Sequence, residues 1–127
     1  MMNREILFRG KRANNGEWLY GYFERMNGYE FIANEKMRRV RERIAFGTVG
    51  RFTGLTDKNG RKIFEGDIVD YNGAKYEVVF ETRCSAYFGI KISHIETWQF
   101  CLGVPAKLME VIGNIHDNPE LLKGETI

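Results

Sequence analysis

The stretch TGLTDKNGRKIFEGDIV, residues 53–69, decides how this chain folds. Its segment DKNG (57–60) has Asp first and Gly fourth, which is typical of a type I turn followed by a left-handed glycine. Such a loop joins antiparallel strands through a G1 bulge, so we expect a hairpin between VGRFTGL (49–55) and RKIF (61–64). The segment EGD (65–67) then predicts a bend that leads into the next strand.

The acidic residues of this stretch, Asp57, Glu65 and Asp67, have two possible roles. Three carboxylates could hold a divalent cation or serve acid–base chemistry. However, the ligand spacing of an EF-hand loop is missing, and Asp commonly opens a turn because its carboxylate accepts backbone amides. We therefore predict that Asp57 sets the turn and that Glu65 and Asp67 flank a bend at Gly66.

Outward from this hairpin, the dipeptide Asn-Gly organises the chain. It favours a type I′ turn, which needs positive φ at both central residues, and it occurs at Asn15-Gly16, Asn27-Gly28, Asn59-Gly60 and Asn72-Gly73. Two-residue loops predict the pairs Tyr71–Ala74, Asp70–Lys75 and Val69–Tyr76, and likewise Arg25–Glu30 and Phe23–Ile32. Asn15-Gly16 would join residues 4–14 to residues 17–23, so the N-terminal third is predicted to be a three-stranded meander.

Composition bounds the class of protein. With 127 residues, 43% hydrophobic and 13% aromatic, the chain can form one compact domain or two small ones, and it is not of the disordered class. The net charge of +2 is too mild to indicate nucleic-acid binding by itself. No apolar run is long enough to span a bilayer. The charged start MMNREILFRGKR and the cysteines Cys84 and Cys101 predict a cytoplasmic protein with free thiols.

Charge is concentrated in ANEKMRRVRERIAF, residues 33–46. Met37, Val40 and Ile44 recur at helical spacing, so this basic connector is expected to be a short helix or a mobile arm. Its candidate nucleic-acid-binding residues are Lys36, Arg38, Arg39, Arg41 and Arg43. They could neutralise phosphates, or they could form a solvated surface with Glu35 and Glu42 as partners.

Aromatic residues are dense in the same third of the chain: Trp18, Tyr20, Tyr22, Tyr29 and Phe31. On an exposed sheet they could stack on unpaired bases. Otherwise such rings belong to a core or to an interface between subunits. A protein rich in hairpins also has sheet edges to cover, and self-association is one way to cover them.

Other chemistry has little support in the sequence. Zinc sites usually show two close ligand pairs, whereas Cys84, His94, Cys101 and His116 are all widely spaced. No local signature marks Cys84, Ser85, Ser93 or His94 as a catalytic group, and glycine-rich nucleotide-binding motifs are absent. We therefore predict no catalytic, cofactor-binding or metal-binding residue.

Three blocks of the sequence resemble the YopX family of phage and prophage proteins. They are REILFRGK (4–11), TVGRFTGLTDKNGRKIFEGDIV (48–69) and EVIGNIHDNPELL (110–122), in the family's order. The resemblance implies a small, mainly β protein whose part from about Gly54 onward is an SH3-like barrel. It carries over no catalytic residue, because the family has no established activity.

These observations together predict a mainly β fold. An N-terminal meander with its basic connector (residues 1–52) precedes a small SH3-like barrel (53–127), with one or two short helices, such as one at Pro119, in one compact unit. The predicted function is that of a phage or prophage accessory protein in the bacterial cytoplasm. It would act by binding a host or phage protein and by self-association. Direct nucleic-acid binding through residues 36–43 is the alternative, and no membrane partner is expected.

Overall fold

The structure is a computed structural model that describes residues 7–34, 40–82, 86–92, 96–100 and 105–123. The chain divides into two compact units, unit 1 (Met1–Phe52) and unit 2 (Thr53–Ile127). The strands are β1 Phe8–Lys11, β2 Trp18–Met26, β3 Tyr29–Asn34, β4 Arg41–Ile44, β5 Gly50–Thr56, β6 Lys62–Phe64, β7 Asp67–Tyr71, β8 Ala74–Glu81, β9 Tyr87–Lys91, β10 Thr97–Gln99 and β11 Glu110–Asn114. Short 3₁₀ helices lie at Ala106–Leu108 and Pro119–Leu122.

The strands form two antiparallel sheets, with the orders β4-β3-β2-β1-β5-β6 and β10-β9-β8-β7-β11. The predicted mainly β fold is therefore confirmed. Neither sheet forms a closed barrel within the described ranges. No helix among the described residues is long and apolar enough to cross a membrane.

The hairpin between β2 and β3 has the predicted register. Arg25 lies opposite Glu30 and Phe23 opposite Ile32. Asn27 and Gly28 have φ values of 50° and 83°, so both adopt the left-handed conformation that a type I′ turn requires. Turn chemistry and the sorting of side chains between faces thus agree at this hairpin.

The hairpin between β1 and β2 has a longer loop than its Asn-Gly pair suggests. Arg12 N donates to Glu17 O at 2.7 Å, which closes the loop around four residues. Gly16 has a φ of 74°, whereas Asn15 has no positive φ. The side chain of Asn15 instead accepts the Glu17 amide at 3.0 Å, so a local Asx contact takes the place of the type I′ turn.

The prediction of a helix is wrong for the second half of the basic connector. Arg41–Ile44 forms strand β4, which pairs Glu42 with Ile32 and Arg43 with Phe31 and adds a fourth strand to the predicted meander. Ile44 is buried while Arg41 and Arg43 are exposed, which is the period-two pattern of a strand. The first half of the connector, residues 35–39, lies outside the described residues.

The outer side of β4 is covered by the end of β1. Ala13 N donates to Arg43 O at 2.9 Å, and Ala45 N donates to Lys11 O at 2.8 Å. A Cβ at Gly10 would lie 2.5 Å from the Ile44 side chain, so glycine permits this close approach. Unit 1 therefore protects this sheet edge with its own chain.

Unit 2 has a core of residues from its sheet and its loops. Ile63 and Val69 are 0% exposed. The core cluster contains Ile63, Val69, Val78, Ile90, Phe100, Ala106, Met109 and Val111. Across Asn72-Gly73, the pairs Tyr71–Ala74, Asp70–Lys75 and Val69–Tyr76 all form as predicted. This hairpin places Val69 and Val78 on the buried face and thereby builds the centre of the core.

The last described element begins at Pro119, where the sequence predicts a short helix. Pro119–Leu122 is a 3₁₀ helix preceded by Asn118, whose side chain makes no cap hydrogen bond to it. Asn118 Oδ1 instead accepts the Asn114 amide at 3.2 Å. Asn118 therefore ties the helix start back to the end of β11.

Candidate functional site

Asp57 is a buried charge of the predicted acidic cluster, and backbone amides surround its carboxylate. The residue is 1% exposed. Its Oδ1 accepts the amides of Asn59 and Arg61, each at 2.9 Å. Gly60 N donates to Asp57 O at 3.0 Å, and Gly60 has a φ of 82°. The predicted type I turn with a left-handed glycine is therefore confirmed, and Asp57 sets it.

The second carboxylate oxygen of Asp57 has a role that the sequence does not reveal. Oδ2 accepts the Val111 amide from β11 at 2.9 Å, and Lys58 N donates to Met109 O at 2.9 Å nearby. One side chain thus joins two segments that are distant in sequence but belong to the same unit.

The pKa of Asp57 reflects this environment. Burial acts to raise the pKa, but hydrogen bonds from the amides of Val111, Arg61 and Asn59, together with the charge of Arg61, more than offset it. The pKa lies below its usual value of 3.8 as a result. The carboxylate is ionised and structural at neutral pH.

The carboxylate of Asp67 also accepts a backbone amide. The residue is 1% exposed, and its Oδ2 accepts the Phe64 amide at 2.7 Å across the bend at Gly66. In the parts of the chain that the structure describes, no three His, Cys, Asp or Glu residues group as metal ligands. The two buried carboxylates of the acidic stretch, Asp57 and Asp67, thus accept backbone amides within and beside its turns.

The other polar candidates can be placed only in part. Cys84, Ser85, Ser93, His94 and Cys101 lie outside the described residues. His116 is described, and its backbone amide donates to Asn114 Oδ1 at 2.9 Å within the turn after β11.

The basic candidates divide in the same manner. Lys36, Arg38 and Arg39 lie outside the described residues, whereas Arg41 and Arg43 project from β4. Residues two apart on a strand share a face, so Arg41 and Arg43 lie on one side of the sheet. Their partners across β3 are Ala33 and Phe31, which places the two cations beside the predicted aromatic residues.

All five predicted aromatic residues share that face. The register pairs Trp18 with Lys11, Tyr20 with Arg9, Tyr22 with Ala33, Glu24 with Phe31, and Met26 with Tyr29. Paired residues of antiparallel strands point to the same side. We call this surface of unit 1 the aromatic–basic face: Lys11, Trp18, Tyr20, Tyr22, Tyr29, Phe31, Arg41 and Arg43.

Direct contacts tie the cations of this face to its rings. The Arg43 guanidinium lies 4.0 Å from the centre of the Tyr29 ring. Arg41 forms an ion pair with Glu24 at 3.1 Å, and its Nη1 lies 3.6 Å from Met26 Sδ. These neighbours hold both guanidinium groups close to the sheet.

Exposure distinguishes the rings from core residues. Tyr20 is 48% exposed and Tyr29 is 49% exposed. At the other end of the face, the Lys11 ammonium lies 5.7 Å from the Trp18 ring centre, and the guanidinium of buried Arg9 lies 4.6 Å from it. The face therefore presents two accessible tyrosine rings among cations.

The opposite side of the same strands is the apolar interior of unit 1. Ile32 and Ile44 are buried there, and the Phe8 and Phe23 rings lie 5.8 Å apart. Its buried acid, Glu30, accepts from Arg25 Nη2 at 2.8 Å. The strands thus separate an apolar side from an aromatic and basic side.

Comparison with known proteins identifies the family of this chain. The family model for YopX protein matches residues 2–123. The chain belongs to the YopX family. The predicted resemblance is therefore confirmed over nearly the whole sequence.

Among solved structures, the crystal structure of protein EF1440 from Enterococcus faecalis is similar to this YopX chain. The TM-score is 0.57 at 23% identity, over 95% of this chain and 100% of the other. At that identity the likeness supports the fold alone. No curated protein matches the sequence.

Sequence reasoning about this YopX protein missed Lys11, a member of the face, and the buried Arg9 on the same side of β1. Arg9 and Lys11 alternate with Gly10 in β1, and this alternation could have placed them on one side. The blocks that carry the family resemblance otherwise coincide with turn devices such as Asp57 and Asn118. The aromatic–basic face lies mostly outside those blocks, in β2, β3 and β4.

Proposed function

We propose that this YopX protein is a phage or prophage accessory protein that acts by binding a macromolecule of the phage or its bacterial host. Its place of action is the host cytoplasm. The observation that carries this proposal is the aromatic–basic face, where Tyr20 and Tyr29 are nearly half exposed on the same side of the sheet as Arg41 and Arg43.

Residue chemistry supports a binding role for this face. Tyr, Trp and Arg dominate the energetically important positions of macromolecular interfaces. A tyrosine ring offers a large contact area and loses little conformational entropy on binding. The strands beneath also fix the positions of these side chains before any partner arrives.

A comparison of capture experiments tests this proposal. The wild-type protein and a Tyr20→Ser/Tyr29→Ser variant are used to capture partners from infected or lysogenic cells, followed by mass spectrometry and nucleic-acid sequencing. A partner recovered by the wild type and lost from the variant is the expected result. An identical set of captured molecules would contradict a role for the face.

Self-association belongs to the same proposal, and β10 of unit 2 is the edge that we assign to it. Strand β10 lies at the end of its sheet. Hydrogen bonds join the residues on either side of β10 to β9 and its neighbour, from Ile92 N to Glu96 O and from Phe100 N to Phe88 O. Alternation then turns the Gln99 amide outward, where a second copy could pair. Light scattering should detect a dimer that Gln99→Pro weakens. A monomer across the micromolar range would contradict the idea.

The SH3-like barrel is the finer fold that we propose for unit 2. Five short antiparallel strands and the contact between the Asp57 turn and β11 support it. An experimental structure of the full chain tests it, and an open sheet there would contradict the barrel.

Direct nucleic-acid binding is the second candidate function. The specific observation in its favour is that Arg41 and Arg43 share the face of the exposed tyrosines. This candidate predicts a partner class and can be tested without infected cells.

A further inference from the structure

Charge is strongly sorted between the two sides of β1 to β4. The aromatic side carries the cations Arg9, Lys11, Arg41 and Arg43, with Glu24 as its acid among the described residues of these strands. On the opposite side, Arg25 pairs with Glu30, and Arg12, directly after β1, pairs with Glu42. A chain with a net charge of only +2 thus concentrates positive charge on one face of one unit.

The positive charge of the aromatic–basic face limits which class of molecule it could bind. A second copy docked through the same surface would bring Arg41 and Arg43 towards like charges, which disfavours a symmetric dimer here. An apolar partner would bury the Arg43 guanidinium, which lies over the Tyr29 ring, without a counter-charge. Electrostatics therefore favours an anionic occupant.

The rings restrict the occupant further. Tyr20 and Tyr29 expose about half of their surface, and stacking on aromatic side chains requires ligand groups with flat faces. Unpaired nucleobases have such faces, whereas a duplex hides them between neighbouring base pairs. Acidic peptides would satisfy the cations but offer few flat rings.

We propose that the aromatic–basic face binds single-stranded nucleic acid. Bases stack on Tyr20 and Tyr29, and backbone phosphates contact Lys11, Arg41 and Arg43. This assignment rests on the proposed binding function of the same face and names the class of partner. The contacts predict little sequence preference, because every base has a face that can stack.

Fluorescence anisotropy tests the proposal directly. The probes are fluorescein-labelled 20-nucleotide single strands of DNA and of RNA with mixed sequence, and the matching DNA duplex. We expect the single strands to bind more tightly than the duplex. With three cations on phosphates, a fourfold rise in salt should weaken single-strand binding roughly 20-fold, from a slope of about −0.7 per neutralised phosphate.

Two pairs of substitutions separate the two kinds of contact. Arg41→Gln/Arg43→Gln should weaken binding and flatten the salt dependence, because two phosphate contacts are lost. Tyr20→Ser/Tyr29→Ser should weaken binding at least about fivefold for each base that loses its stacking partner, without changing the salt slope. Circular dichroism and urea unfolding check that each variant remains folded.

Matched controls come from exposed positions outside the face. Arg61→Gln/Lys123→Gln removes the same charge from unit 2, and Phe46→Ser removes an exposed ring. Both controls should bind as the wild type does. Equal losses in these controls would overturn the assignment to the face, since general charge or aromatic content would then explain binding.

The remaining outcomes decide whether the nucleic-acid assignment, the proposed function or both fail. Absence of single-strand binding at low salt, or tighter binding of the duplex, would overturn the inference. If single strands do not bind while capture of a protein partner still depends on Tyr20 and Tyr29, the proposed function holds and only the nucleic-acid assignment fails. If the tyrosine substitutions alter neither measurement, both proposals fail.

Discussion

Asp57 and Arg43 each carry a full charge, yet unit 2 buries one and unit 1 exposes the other. Asp57 is 1% exposed and both of its oxygens accept backbone amides. Arg43 is exposed and lies over a ring that is itself half exposed. A charge satisfied by its own backbone stabilises the fold, whereas a charge held at a surface remains available to a partner.

Removal of the buried carboxylate should cause the largest loss of stability. Asp57→Ala leaves the amides of Asn59, Arg61 and Val111 without their acceptor. Hydrogen bonds to charged groups contribute about 1.5–3 kcal/mol each, and they are not additive, so we expect a loss of about 3–5 kcal/mol of unfolding free energy. Urea denaturation followed by tryptophan fluorescence measures it.

Asp70→Ala is the matched control for that substitution. Asp70 Oδ1 accepts the Gly73 amide at 3.2 Å in an exposed turn, so its removal should cost less than about 1 kcal/mol. Equal effects of the two substitutions would show that the buried network around Asp57 has no special role.

The next substitution addresses the conformation of the same turn. Gly60 has a φ of 82°, and a Cβ there would meet nothing within 4 Å. Any loss of stability on substituting Gly60 therefore comes from the backbone conformation and not from contacts with neighbouring atoms. Gly60→Val should cost about 2 kcal/mol, since a β-branched residue resists the left-handed region. Gly60→Asn should retain most of the stability, because Asn tolerates that region.

Thermal and urea unfolding of the two Gly60 variants measure this difference. A Val variant as stable as the wild type would mean that the turn adopts another conformation in solution.

Acid provides a graded test of Asp57. Its pKa is lowered in the folded protein, so its contribution is present above the unfolded value of 3.8 and is lost as the pH falls through the folded value. The urea concentration at the unfolding midpoint of the wild type should therefore decrease when the pH is lowered below about 4. Asp57→Asn should lack this component, and its midpoint should change less over the same interval.

Glu77 should respond with the opposite sign. Burial raises the pKa of its carboxyl, the charge of Lys91 acts to lower it, and Glu65 adds to the increase. A raised pKa means that ionisation disfavours the folded state as the pH rises. Glu77→Gln should therefore be slightly more stable than the wild type at pH 7. An equal or lower midpoint would contradict this interpretation of its environment.

Local signals predicted much of the fold. The Asn27-Gly28 and Asn72-Gly73 turns were predicted with their registers, because turn chemistry and alternation specify the same pairing there. The loop at Asn15-Gly16 was not, because the Asn15 side chain forms an alternative contact with the Glu17 amide. Strand β4 was missed because its one apolar residue, Ile44, also continues the helical spacing of Met37 and Val40.

The candidate site was less predictable than the turns. The sequence supplied the five aromatic residues and the basic segment as candidates for one nucleic-acid-binding role, but it did not show that they share one side of a sheet. Their meeting on one face depends on the pairing of β3 with β4, a contact that no local motif encodes. The bond from Val111 to Asp57 was equally hidden, because it joins segments 54 residues apart.

The smallest expected effect on stability belongs to Arg43. Its contact with Tyr29 is exposed, and exposed cation–π pairs contribute about 0.5–1 kcal/mol. Arg43→Gln should therefore lower the unfolding free energy by no more than about 1 kcal/mol, even though we expect it to weaken nucleic-acid binding. Urea unfolding and anisotropy on the same preparation separate the two quantities. A loss of stability as large as that of Asp57→Ala would place Arg43 among the structural charges, and the distinction between the two regions would fail.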